Sequence, residues 1–402
     1  MNVLKNHSKV FIGDFSSFER KINRFMDGVP DNFMIAILKS ATDHSLNSGK
    51  RLAEMHFRWV ECCRENRGRE VFHCCYLVSE VGAVNKIVKN KKNKTVFFWM
   101  NVLKNHSKVF IGDFSSFERK INRFMDGVPD NFMVVADFDY TLTTSKTKTG
   151  DQADISYDVF AKTAANRSPS CGQLFKTLNE KYSPIETNSS LSNEEKLLAM
   201  LEWWTKANDL IIRAEFKEKE ILDLVKQSSM RLRSNCALYF GELEQLKIPL
   251  IIFSAGISNV IEASLLFELG RIPDNVQIVS NTMYFNEMGV SYKFSEPVIH
   301  SFSKNGTLLE NCLEKVQDLK LKNRIILLGD SLGDLCMLDG CSLLNESDNT
   351  ILKIGFLNKN VDMLLDSFVK NFDMVIIRDQ TVDVLRHLNY ILFSVGKSLP
   401  FT

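Results

Sequence analysis

The stretch FMVVADFDYTLT, Phe132–Thr143, decides how the rest of the chain reads. Its apolar run, Phe132 to Ala136, suits a strand buried on both faces, and Asp137 and Asp139 follow at its end. At i and i+2 two strand side chains point the same way, so the two carboxylates are expected to converge on one point. Such charges stay ionised together only with a cation between or near them, and hard carboxylate oxygens suit Mg²⁺. A plain strand end turning into a loop accounts for the same letters, because aspartate is a turn residue. The choice therefore rests on whether similar strand ends recur.

They do. RIILLGDSLGDLCML (324–338) is a second strand ending in an aspartate, Asp330, with Asp334 four residues on. If a helix begins at Ser331, Asp334 sits in its first turn, near the positive end of the dipole. Gly329 and Gly333 allow tight backbone approach. A capped helix start explains one aspartate but not the coincidence of both pairs. IPLIIFSAGIS (248–258) ends in Ser254, Ala255 and Gly256, whose small side chains leave backbone N–H groups to cradle a phosphate. A plain turn explains that phrase equally well. Lys304, in IHSFSKNGTLL, lies between the serine strand and the second acidic strand, although lysines are usually solvated.

Further strand-like runs are VQIVSN, FDMVIIRD and ILKIGFL, and helix-period segments such as SNVIEASLLFELG and GTLLENCLEKVQDLK lie between. This alternation predicts an α/β fold, a doubly wound parallel sheet with its ligand beyond the carboxyl ends of the strands. Residues 155–230 break the alternation and read as helices, forming a lid inserted after the first strand. Within them SNEEKLLAMLEWWTKANDL opens with Ser192 and Glu195 at capping-box spacing. The expected division is a catalytic core of residues 100–154 and 231–402, the lid at 155–230, and an appended segment at 1–99.

That last segment repeats part of the core: Met1–Met34 is identical to Met100–Met133. Only the second copy runs into the acidic strand, so the enzyme is expected to begin at Met100. The insert between the copies carries a basic tract, KIVKNKKNK, read as solvated, and two vicinal cysteine pairs. A zinc site from Cys62, Cys63, Cys74, Cys75 and His73 lacks finger-like spacing. The nine cysteines are an odd number without a C-x-x-C pair and read as reduced thiols. The 402 residues carry a formal charge of +1, which gives no global pull toward nucleic acid or anionic membrane. No membrane span or signal peptide is evident, so a cytosolic protein is expected.

The four phrases in this order resemble the haloacid-dehalogenase-like superfamily of Mg²⁺-dependent phosphatases. From about residue 108 to 395 the chain is similar to the cytosolic pyrimidine 5′-nucleotidase (type III) family. ADFDYTLT, EEKLLAMLEWWTKA, IPLIIFSAGISNVIE, VSNTMYFNEMGV, IILLGDSLGDLCMLDG and ILKIGFLN carry the likeness. The resemblance implies a Rossmann-like core, hydrolysis of nucleoside 5′-monophosphates, and a specific set of roles. Asp137 is the nucleophile that forms an aspartyl-phosphate, and Asp139 the general acid and then base. Ser254, Ala255, Gly256 and Lys304 bind the phosphate. Asp137, the Asp139 carbonyl and Asp330 hold Mg²⁺, with Asp334 supporting its water shell.

In the lid, the same resemblance makes Glu186 the reader of the base edge and Trp204 its stacking face. Tyr157 is the expected opposing face, although its surroundings, SKTKTGDQADISYDVF, depart from the family's C-P-T-x-H phrase. The W-W-T-K-A phrase with Ala207 favours 7-methylguanosine monophosphate, with CMP and UMP as further substrates. Asn208-Asp209 replaces a His-bearing stretch, and SFSKNG departs from the usual phrase around Lys304. These departures touch base preference, not the reaction. The alternatives are a phosphatase or phosphotransferase for another small phosphomonoester, and a non-catalytic nucleotide-binding protein. The expected partner is a small nucleotide, not a membrane or polymeric nucleic acid, and a monomer suffices.

Overall fold

A computed structural model describes residues 100–394, apart from 128, 189, 314–321 and 342–348. The first copy of the repeat, the vicinal cysteines and the end of the helical segment after Leu313 lie outside the described residues. Residues Met100–Val382 form one compact unit; the described part of a second holds a helix, Asp383–Asn389, and a π-helical turn, Tyr390–Ser394.

Along the first unit, a helical turn at 100–104 leads to β1 (Val109–Phe110), α1 (Phe114–Met125) and β2 (Phe132–Ala136). Four helices follow: α2 (Ser156–Arg167), α3 (Pro169–Thr187), α4 (Asn193–Arg213) and α5 (Ile221–Gln227). The chain returns through α6 (Cys236–Gln245) to β3 (Leu250–Ile257), α7 (Ser258–Leu269) and β4 (Val276–Asn281). After the hairpin β5 (Met283–Phe285) and β6 (Ser291–Phe294) come α8 (Gly306–Leu313), β7 (Arg324–Gly329), β8 (Thr350–Leu357), α9 (Val361–Asn371) and β9 (Met374–Ile377).

The main sheet has the order β1-β9-β8-β7-β2-β3-β4, parallel except for β1, which runs antiparallel to β9. β2 sits centrally, with β3 on one side and β7 on the other. The strand order reverses at β2, so the carboxyl ends of these three strands frame the ligand crevice of an open α/β sheet. The strands read as continuous apolar runs because both faces are covered: every residue of β2 is buried. Met133, Val135, Ile251, Phe253, Ile325 and Leu327 alternate onto one face and pack with Leu309 and Met337. Burying each such side chain contributes about 1.5–3 kcal/mol.

The second copy of the repeat is built into this core. Asp113 caps α1 through a bond from the Ser116 amide (2.9 Å), and Phe117, Ile121 and Phe124 form its buried stripe. Phe124 then packs edge-on against Phe132 of β2 at 5.4 Å. Helices α2 to α5 lie between β2 and β3, the stretch expected to form a lid. The α4 capping box is present: the Ser192 amide donates to Glu195 Oε2 (2.8 Å) and the Glu195 amide to Ser192 Oγ (3.3 Å). The two chains joining lid to core are stapled to each other. The Thr144 amide bonds the Arg231 carbonyl (2.9 Å), while the Ser229 amide bonds the Asp154 carboxylate and Ser229 Oγ accepts from the Asp154 amide.

Three pieces differ from the sequence expectation. β1 is two residues long, too short to show a period. The β5–β6 hairpin turns on Asn286 and on Gly289 at φ +71°, and each of its strands is short. The helix expected from Ser331 is a 3₁₀ turn, Leu332–Cys336. Asp334 therefore lies at no α-helix N-terminus, and local hydrogen bonds hold it instead. No described helix is long and apolar enough to cross a membrane.

Candidate active site

Three carboxylates meet at the sheet's carboxyl edge. Asp137 leaves β2, Asp330 leaves β7, and Asp334 lies in the 3₁₀ turn; one oxygen from each falls within 4.8 Å of the others. Asp334 Oδ2 accepts from the Asp330 amide (3.1 Å), the Ser331 amide (3.0 Å) and the Ser331 hydroxyl (2.8 Å). Gly329 makes this possible, because a Cβ there would overlap the Asp334 side chain. Lys304, 5% exposed, donates to Asp137 Oδ1 at 2.8 Å and Asp334 Oδ1 at 2.5 Å. Burial works against the Lys304 charge, yet Asp137 and Asp334 outweigh it and hold the ammonium firmly protonated.

Burial also raises the Asp137 carboxyl despite the opposing Lys304, and raises Asp330 well above the usual carboxylate range, with Asp137 and Asp334 adding repulsion. No hydrogen bond among the described residues reaches the Asp330 carboxylate. Hard oxygens, strained toward protonation by burial and mutual repulsion, are the donor set that a divalent cation relieves.

Asp139 is not one of the three carboxylates that gather. The strand ends at Ala136, and the Asp139 carboxylate turns to the lid, taking the Ser156 amide on Oδ1 (2.9 Å) and the Ser156 hydroxyl on Oδ2 (2.6 Å). Burial lifts it to about 7, against those two donors. Next to it, β3 carries a bulge between Phe253 and Ile257 that contains Ser254, Ala255 and Gly256. Two of its carbonyls are pinned: Asn281 Nδ2 donates to those of Ala255 (2.9 Å) and Gly256 (3.1 Å), as well as to that of Ile299 (2.8 Å) outside the bulge, and Ser280 Oγ donates to Gly256 (2.8 Å). Ser254 Oγ accepts from the Gly256 amide (3.0 Å), so that amide is engaged and the cradle is narrower than the S-A-G phrase suggested.

The lid's aromatic residues separate as their helical spacing required. Trp203 stacks on Tyr182 inside the lid (5.8 Å, 16°). Trp204 faces the strand ends, its Nε1 donating to the Ala255 carbonyl at 3.1 Å and its ring lying 6.2 Å from that of His300. Tyr157 stands edge-on to Trp204 (6.1 Å, 78°), with its hydroxyl donating to Asn208 Oδ1 at 2.6 Å. The expected opposing stacking face is therefore not formed; a parallel slot needs parallel rings. Ala207 is buried on α4 beside Asn208. Glu186, at the end of α3, accepts from the Ser301 hydroxyl (2.8 Å), and burial raises its carboxyl. Burial lowers His300 to about 4, keeping the ring neutral beside Trp204.

Four contributors went unread in the sequence: Ser156, Asn281, His300 and Arg233. Fully buried Arg233 donates to the carbonyls of Tyr140, Thr141 (2.7 Å) and Asp379 and to Asn358 Oδ1 (3.0 Å), lying 4.3 Å from the Phe356 ring. It fastens the loop after Asp139, where Tyr140 takes φ +61°, to the ends of β8 and β9. Nothing in a lone Arg, Asn or His of the sequence signals such long-range bonds.

A parallel sheet with this acidic edge and a helical lid after the first motif strand defines a haloacid-dehalogenase-like hydrolase. Residues 140–392 match the family model described as Pyrimidine 5′-nucleotidase (UMPH-1). The chain is 36% identical over 262 residues to the 7-methylguanosine phosphate-specific 5′-nucleotidase of Homo sapiens, covering 65% of this chain and 85% of that protein. It is 35% identical over 266 residues to 7-methylguanosine phosphate-specific 5′-nucleotidase A of Xenopus laevis, covering 66% and 89%. Among solved structures, cytosolic 5′-nucleotidase IIIB bound to cytidine aligns with a TM-score of 0.66 at 32% identity, over 74% of this chain and 97% of that one. The chain belongs to the pyrimidine 5′-nucleotidase family and is a phosphoric monoester hydrolase.

Proposed function

We propose that the chain is a cytosolic, Mg²⁺-dependent 5′-nucleotidase that hydrolyses 7-methylguanosine monophosphate, with CMP and UMP as further substrates. The observation that carries this reading is the buried cluster of Asp137, Asp330 and Asp334, with Lys304 bonded to two of them at the mouth of a helical lid. Asp137 is the nucleophile: its oxygen attacks phosphorus and the ester bond to the 5′-oxygen breaks, dividing one hard displacement into two. Asp139 gives the departing 5′-oxygen its proton and then takes one from the water that cleaves the aspartyl-phosphate. A carboxyl near pH 7 suits both halves of that task.

Ser254, the Ala255 amide and Lys304 offset charge on the phosphoryl oxygens, where positioning and electrostatics do most of the work. Asp137, the Asp139 carbonyl and Asp330 would hold Mg²⁺, with Asp334 behind them. The ion supplies positive charge to the phosphoryl group and the nucleophile.

Trp204 offers an indole face, which attracts a cationic ring such as 7-methylguanine. Glu186, bonded to Ser301 at the lid's edge, suits a base edge that presents N–H donors. Two relatives are named for 7-methylguanosine phosphate and the aligned structure holds cytidine, which supports both substrate classes. The test is phosphate release from 7-methyl-GMP, CMP, UMP and phosphoserine with Mg²⁺. Turnover of the nucleotides with little on phosphoserine is expected; equal rates on phosphoserine would overturn the base-reading role of the lid.

A further inference from the structure

Asp139 is oriented by a residue of the lid. Ser156, fully buried at the start of α2, gives both of its donors to this one carboxylate, at 2.9 Å and 2.6 Å. No other hydrogen bond among the described residues reaches that carboxylate. The Ser156 hydroxyl also lies against Gly256 in the β3 bulge. A Cβ at Gly256 would overlap the hydroxyl and stand 3.1 Å from Asp139 Oδ2. The glycine of the S-A-G phrase thus makes room for a lid helix as well as lying beside the phosphate-binding turn.

Three separate segments meet at this point: the loop after β2, the bulge of β3 and the first turn of α2. Each carboxylate oxygen has two lone-pair directions. Ser156 occupies one on each oxygen, fixes the plane of the group, and leaves the other direction to carry the transferred proton.

We propose that Ser156 is a positioning residue that couples seating of the lid to the aim of Asp139. With α2 docked on Gly256 the carboxyl faces the leaving oxygen; undocking removes both donors and lets it rotate. This rests on the reading of Asp139 as general acid. The proton passes from Asp139 to the 5′-oxygen as that oxygen's bond to phosphorus breaks and the bond from Asp137 forms. In the second half, water returns a proton to Asp139.

The test separates proton delivery from the rest of the reaction. Single-turnover rates are measured on CMP and on its analogue with sulfur bridging C5′ and phosphorus, whose thiolate leaves without a proton. Ser156→Ala deletes the hydroxyl donor, and Ser156→Cys keeps its shape with a weak donor. Both variants are expected to slow the oxygen ester about 10–100-fold and the sulfur ester less than about twofold, a share of the roughly 10²–10⁴-fold that general acids contribute. Asp139→Asn, run alongside, should show the same split more strongly. If Asp139→Asn slows both esters alike, the general-acid reading itself fails. If Asp139→Asn splits them but the Ser156 variants slow both equally, or neither, the coupling is wrong and Ser156 is a packing residue.

Discussion

Replacing Lys304 by methionine removes the ammonium shared by two buried carboxylates while keeping most of the side chain's volume. At 2.8 Å and 2.5 Å each contact is a gross attraction of about 6–7 kcal/mol at an effective dielectric constant of about 20, most of it spent on desolvation. Deleting one partner of a buried pair leaves the other uncompensated, which costs about 3–5 kcal/mol. In a unit of this size roughly 2 °C is lost per kcal/mol, so Tm should fall by about 6–10 °C at pH 8 without divalent cation. At pH 5 the loss should be less than half, because Asp137 and Asp330, already raised by burial, take up protons and shed the repulsion. Thermal unfolding of the full chain, followed by circular dichroism at both pH values, measures this. An unchanged Tm at pH 8, or equal losses at pH 5 and pH 8, would refute the electrostatic account of the cluster.

The same cluster is expected to govern how Mg²⁺ stabilises the fold. Burial raises Asp137 to about 6 and Asp139 to about 7, both above their unfolded values, so the folded chain holds extra protons between about pH 4 and 7 and cation-free stability falls as pH rises through that window. Mg²⁺ favours the ionised forms, so its Tm increment should be small at pH 5 and large at pH 8; equal increments would contradict the site. Glu186→Gln should weaken kcat/KM for 7-methyl-GMP about 10-fold or more, in line with hydrogen bonds to charged groups of about 1.5–3 kcal/mol, and leave phosphoserine turnover unchanged. A steady-state comparison of the two substrates decides that. A chain beginning at Met100 should retain full activity, since the second copy of the repeat supplies α1 and the start of β2; a clear loss on truncation would assign a role to residues 1–99.

How much of this was legible depended on the range of the interactions. Val134, Val135, Ile326 and Leu327 announce buried strands locally, and strand ends carrying Asp137 and Asp330 mark the proposed site before any contact is known. Lys304 was legible only through its order between motifs; its bonds to Asp137 and Asp334 span 167 and 30 residues. Asp139 shows the limit of spacing arguments, because the period-two rule holds only while the chain remains a strand, and β2 stops at Ala136. Gly256 was read for phosphate approach, whereas its nearest neighbour is the hydroxyl of Ser156, a hundred residues earlier. Tyr157 has the expected place beside Trp204 but stands edge-on to it, its hydroxyl bonded to Asn208. Asn281 and Arg233 satisfy carbonyls of distant loops, and such bonds leave no periodic trace.

The most direct test of the account is the fate of Asp137 during turnover. The chain is mixed with 7-methyl-GMP and Mg²⁺, quenched within milliseconds, and the peptide bearing Asp137 is weighed by mass spectrometry. The account predicts a fraction of that peptide heavier by one phosphoryl group in the parent, none in Asp137→Asn, and loss of phosphate release in the variant. Phosphate release by Asp137→Asn at the parent's rate, or a phosphoryl group carried on another residue, would contradict it.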